Sequence, residues 1–63
     1  MTKKEIKKVA KELAKLERII RDTDGDERYK AEMAIMTLTS KVEDMEDMMM
    51  IDELVMEFLE QEN

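Results

Sequence analysis

Gly25 is the only glycine in this chain of 63 residues, and there is no proline. Glycine and proline are the residues that most often end a helix or force a turn. A chain that offers them at one position has one obvious place to reverse direction. Most of the remainder is Lys, Glu, Leu, Met and Ala, all strong helix formers. Aromatic residues are limited to Tyr29 and Phe58, so little favours strands. The sequence predicts an all-α fold.

Length sets the next limit. Sixty-three residues make one domain, 1–63, and a domain this small buries too little surface to be secure without a staple. Cysteine and histidine are both absent, which removes disulfides and zinc. Self-association is the remaining route, and a homodimer is the expected state.

The first helix is expected over about 3–21. Thr2 and Glu5 have the spacing of a capping box, hydroxyl and carboxylate each taking an orphan N–H. Ile6, Val9, Leu13, Leu16 and Ile20 then alternate steps of three and four, the spacing of a coiled-coil seam. Ala10 and Ala14 flank that seam and allow close packing. The turn spans 22–27, with Gly25 free to take a left-handed backbone and Asp24 with Glu27 as the next cap. The second helix is expected over about 26–60. Ala31, Ile35, Leu38, Val42, Met45 and Met49 repeat the three-four spacing. Folded about Gly25, the seams pair Ile20 with Ala31, Leu16 with Ile35, Leu13 with Leu38, Val9 with Val42 and Ile6 with Met45. The expectation is therefore an antiparallel helical hairpin, with three helices as the alternative. The weak point is 37–40, where Thr37, Thr39 and Ser40 cluster; a break near 39–40 would make Ser40 and Glu43 a new cap.

A continuous second helix outruns the first by roughly a dozen residues, about 20 Å at helical rise. That overhang is apolar. Ile51, Leu54, Val55 and Phe58 form a new stripe beside Met48 and Leu59, rotated from the old seam because Asp52 sits where the seam would continue. These six residues are the expected self-association interface, joining two hairpins into a bundle. Seven of the methionines, Met33, Met36, Met45, Met48, Met49, Met50 and Met56, lie on this helix. They are expected to fill the core and the interface, or else to form a surface that docks a partner helix.

Charge is sorted along the chain. Residues 1–21 hold eight bases and three acids, residues 22–63 fourteen acids and three bases, within a net charge of −6. Lys4, Lys8, Lys11, Lys15 and Arg18 form one stripe opposite the apolar seam. Like charges one helical turn apart repel, so the stripe is a candidate polyanion-binding face for nucleic acid or for an acidic protein, unless it is simply a solvated face. At the other end Glu43, Asp44, Glu46, Asp47, Asp52, Glu53, Glu57, Glu60 and Glu62 could keep the chain soluble or imitate a nucleic-acid backbone.

Chemistry is poorly provided for. With no histidine or cysteine there is no Ser–His or Cys–His pair, and no aromatic-lined pocket is in view to tune a carboxylate. Asp22, Asp24 and Asp26 have the spacing of the first half of an EF-hand loop, but Glu27 stands where glycine is needed and Met33 where the closing glutamate belongs. A capped turn is the better reading. No catalytic residue, cofactor or metal is expected, and the chain reads as a non-enzyme. Its longest apolar run, 48–51, is too short for a membrane span, and its charged start is unlike a signal peptide. A cytoplasmic protein is expected.

On Met1, Thr2, Lys3, Lys4 and Glu5, and on the acidic turn Asp24, Gly25, Asp26 and Glu27, the layout resembles the Rop family of plasmid copy-control proteins. These are helical hairpins that dimerise into four-helix bundles and bind paired RNA loops through their first helices. The resemblance implies that the basic stripe is an RNA-binding face. Two departures stand in the sequence: the expected helices are unequal, and no aromatic, Asn or Gln accompanies the lysines on the first. In size and style the chain also resembles small reading frames of bacterial phages and mobile elements. The leading expectation is a homodimer that acts by binding another macromolecule, with a Rop-like RNA regulator and an acidic nucleic-acid mimic as alternatives.

Overall fold

The computed structural model describes residues 1–61 and contains three helices, with no strand among the described residues: α1 over Lys3–Asp22, α2 over Asp26–Ser40 and α3 over Met45–Gln61. The helix expected over 26–60 is thus corrected. It is broken at 41–44, and the three-helix alternative is the architecture found.

Local chemistry accounts for each boundary. At the start of α1 the Thr2 hydroxyl accepts from the Glu5 N–H (3.2 Å) and the Glu5 carboxylate accepts from the Thr2 N–H (3.0 Å), the reciprocal capping box. The Thr2 backbone N–H above all, and then the Thr2 hydroxyl beside it, hold the Glu5 carboxyl below its ordinary value of 4.5. At the far end Thr23 closes α1 by donating both its N–H (2.9 Å) and its hydroxyl (2.6 Å) to the Ile19 carbonyl. Gly25 follows at φ 70° and begins α2 with no side-chain cap. The cap expected of Asp24 and Glu27 is therefore not formed; Asp26 and Glu27 support this terminus as negative charges in its first turn.

The break after Ser40 has two causes. Thr37, Thr39 and Ser40 turn their hydroxyls back onto carbonyls of Met33, Ile35 and Thr37, the competition that makes such residues poor in a helix interior. The Lys41 and Val42 N–H groups then bond three residues back, to Leu38 and Thr39, tightening the last turn. Asp44, rather than the expected Ser40, starts the next helix: its carboxylate accepts from the Glu46 N–H at 2.8 Å.

The helices run up, down and up. Ala31, early in α2, lies by Leu16 and Ile19, late in α1. The Met1 amine reaches Asp47 at 3.1 Å, while at the other end Arg18 donates to the Phe58 carbonyl at 3.4 Å, so α3 is parallel to α1. Both α2 and α3 pack on α1 and touch each other little, which gives a flat molecule of 34 × 26 × 15 Å.

The core lies where the three helices meet. Ile6, Ala10, Leu13 and Ile51 are buried together, with Val9, Ile35, Leu38, Val42, Met48, Leu54, Val55 and Phe58 packed around them. Ile51 is the largest side chain with no exposure. The overhang that seemed to need another chain is covered from within: Ile51 is enclosed, and Met48, Leu54, Val55, Phe58 and Leu59 are half-buried. Met45, expected opposite Ile6, is 79% exposed, and Ile51 takes its place in the core.

The energetics favour this arrangement. Burying one isoleucine is worth about 1.5–3 kcal/mol. Breaking a helix forgoes a few backbone hydrogen bonds of about 1 kcal/mol net each, and the turn bonds and the Asp44 cap recover part of that. The half-buried residues of α3 add to the gain.

Two outcomes follow. Ile51→Ala should lower unfolding stability by about 2–5 kcal/mol in chemical denaturation, at every protein concentration. A lowered native pKa at Glu5 stabilises the fold above the unfolded carboxyl's range, and that stability is lost as pH falls through the native value. Melting temperature should thus drop more steeply below pH 4.5 for the parent chain than for Glu5→Gln, which should start lower at neutral pH.

Candidate functional site

The strongest feature of the surface is the outer side of α1. One turn of helix separates Lys4 from Lys8 and Lys11 from Lys15, and all four are exposed. Ile6, Ala10, Leu13 and Ala14 point the other way and are buried. This is one amphipathic helix seen from its two sides: the seam that fixes the core also fixes the lysine row.

No carboxylate oxygen of the described residues lies within 4.0 Å of these four amines. Glu12 lies one turn beyond Lys8 on the same helix without an ion pair to it, and most other carboxylates of the described residues lie on α2 and α3. Glu46, Asp47, Asp52, Glu53, Glu57 and Glu60 give α3 six acids and no base; of these only Asp47 is in an ion pair, with the Met1 amine. That contact raises the amine's pKa, chiefly through the hydrogen bond. Asp44 is occupied as the cap of α3. Glu62 of the expected acidic face lies outside the described residues. Two further ion pairs between described residues, Arg21 with Asp22 on α1 and Arg28 with Glu32 on α2, each join neighbours within a single helix.

Arg18 stands apart from the lysines it was grouped with. It is half-buried and crosses to the Phe58 carbonyl, in the last part of α3 described, where positive charge is favoured near a helix C-terminus. A groove of about 400 Å³ opens there, lined by Lys11, Ala14, Lys15, Arg18, Phe58 and Gln61. Phe58 and Gln61 therefore supply the aromatic ring and amide that α1 lacks. The sequence missed this because the expected hairpin carries the second helix past the end of α1 beyond Met49.

A second groove of about 430 Å³ lies between α1 and α2, lined by Leu16, Ile19, Thr23, Glu27, Lys30 and Ala31. It is shallow and mostly apolar. Neither groove holds an enclosed ionisable group, since every buried residue is apolar. Among the described residues no three carboxylates converge as metal ligands, and no helix is long and apolar enough to cross a membrane.

The methionines contribute little to the core of the single chain. Met33, Met36, Met45, Met49, Met50 and Met56 are exposed, and only Met48 of the seven packs on the core. Core filling is done instead by Ile, Leu, Val and Ala.

No protein-family model, no curated protein and no solved structure matches this chain.

An unpaired row of lysines weakens the helix that carries it by about 0.2–0.5 kcal/mol per like-charged pair. Replacing Lys8 and Lys15 by Gln should therefore leave the melting temperature unchanged or slightly raised at low salt, with the difference shrinking as salt is added.

Proposed function

We propose that this protein is a non-enzymatic binding protein that presents the outer face of α1 to an acidic segment of another macromolecule. The observation that carries the reading is the exposed row Lys4, Lys8, Lys11 and Lys15, whose amines have no carboxylate oxygen of the described residues within 4.0 Å. Such a row costs helix stability and gains attraction for a polyanion, strongest at low ionic strength. Its pitch, one lysine each turn, suits the carboxylates of an acidic helix with the same period.

An acidic protein segment is a better fit than a long nucleic acid. The chain carries a net charge of −6, and α3, packed along α1, contributes six carboxylates and no base. A duplex large enough to reach past the lysine row would meet that repulsion. The row itself is short, and affinity for nucleic acid scales with the number of phosphates neutralised.

A second reading, an RNA binder of the Rop kind, draws support from Phe58 and Gln61 beside Lys11, Lys15 and Arg18. Aromatic rings and amides are the groups that read unpaired bases. The ring of Phe58, however, packs on the core, which leaves less of its face for stacking. Mimicry of a nucleic acid by α3 would need no part of the lysine row.

Fluorescence anisotropy separates these readings. Labelled poly-glutamate should bind at low salt, release steeply as salt rises, and lose at least tenfold in affinity to the variant with Lys4, Lys8, Lys11 and Lys15 all changed to Gln. Preferential binding of a labelled RNA hairpin over poly-glutamate would move the assignment to the RNA reading. Failure to bind either probe, or binding indifferent to the four substitutions, would overturn the role of this face.

A further inference from the structure

Eight of the 63 residues are methionine, while cysteine, histidine and tryptophan are absent. The thioether is therefore the group of this chain most open to oxidation. Met33, Met36, Met45, Met49, Met50 and Met56 are between 42% and 79% exposed, and Met1 is exposed as well. The helices that carry the six hold the core through other residues: Ala31, Ile35 and Leu38 on α2, and Ile51, Leu54, Val55 and Phe58 on α3. Met48 is the exception. It is half-buried and packs against the cluster of Ile6, Ala10, Leu13 and Ile51.

Position decides what oxidation does to such a chain. A sulfoxide replaces a flexible apolar side chain by a polar one. Inside the protein its oxygen needs a hydrogen-bond partner, and the buried residues around Met48 are all apolar. On the surface water is that partner, and no core contact is lost. The same composition with methionine inside and isoleucine outside would come apart on oxidation. This arrangement places nearly every oxidisable sulfur where the fold does not depend on it.

We infer that the exposed methionines of α2 and α3 are a modification site, a surface of thioethers that consumes hydrogen peroxide reversibly while the protein stays folded. In each event a lone pair on sulfur attacks one peroxide oxygen. The O–O bond breaks as the S–O bond forms, and the second oxygen leaves as water after the proton moves across. Sulfur is oxidised and the peroxide is reduced by the same electron pair, so no further reactant is needed. Hydrogen peroxide is uncharged, and the net charge of −6 does not repel it. Methionine sulfoxide reductases, one for each sulfoxide epimer, reverse the change. They must reach the side chain, so exposure serves both directions. Met48 sets the limit of the cycle: it reacts last, and its sulfoxide loosens α3 from α1. The lysines of α1 take no part, which keeps this site independent of the polyanion face.

Titration with hydrogen peroxide, read by peptide mapping in the mass spectrometer and by circular dichroism, tests this. Each of the six exposed methionines should take up one oxygen at least about tenfold faster than Met48, with helix content and melting temperature held meanwhile. Both should fall as Met48 is converted. The two sulfoxide reductases with dithiothreitol should return the six to methionine. Met48→Leu, a swap of similar volume, should take up oxygen at the six as before and keep its fold through complete oxidation. Changing Met45, Met49 and Met56 together to Leu should remove their share of the uptake and leave the fold intact. Loss of helix while Met48 is still reduced, oxidation of Met48 as fast as the others, or sulfoxides that the reductases leave in place would overturn the inference.

Discussion

Ile51 against Ile6, Ala10 and Leu13 is the contact on which the rest of this structure depends. It joins the third helix to the first, and without it α3 would have no reason to return after the break at 41–44. The contact works because α1 offers two small residues, Ala10 and Ala14, both essentially without exposure. They let the α3 backbone come close enough for a branched side chain to be fully enclosed. One isoleucine seated in this way decides between a long helix with an apolar overhang and a three-helix fold that covers most of it.

Once α3 lies along α1, the surface follows. The core claims one side of α1, so the lysines must share the other. The partner that α3 finds in α1 leaves its carboxylates outside, and the net result is a molecule with an unneutralised basic row and an acidic helix in the same small body. Because α2 and α3 meet little, the fold stays flat and exposes 5048 Å², against about 4,200 Å² for a compact monomer of this mass. Tyr29 and most of the methionines are among the exposed side chains. These surface features are the ground on which a binding role is proposed.

Part of this was legible in the sequence. The Thr2–Glu5 capping box, the seam of α1 and the left-handed Gly25 depend on neighbours within a turn or two, and local spacing carries that information. The break after Ser40 does not announce itself with glycine or proline. It arises from hydroxyls that turn onto their own carbonyls together with a burial gain thirty to forty-five residues distant in sequence, and spacing alone cannot weigh the two. The same non-local step misplaced Met45 opposite Ile6 and hid Phe58 and Gln61 from the basic face. The lysine row was legible because it needs only helical periodicity. The detachment of Arg18 toward the Phe58 carbonyl was not, because it needs α3 in place.

The methionines carry a related lesson. Of the roles the sequence allowed them, core, interface or docking surface, the core went instead to stiffer Ile, Leu and Ala, which hold one shape at less entropic cost. Whether the chain closes on itself in this way is open to direct test by isotope-filtered NOE spectroscopy on a mixture of labelled and unlabelled chains. The account predicts contacts between the methyl groups of Ile51 and those of Ile6 and Leu13 within a single labelled chain, persisting on dilution. Contacts seen only between labelled and unlabelled chains would mean that α3 packs on another copy, and would contradict it.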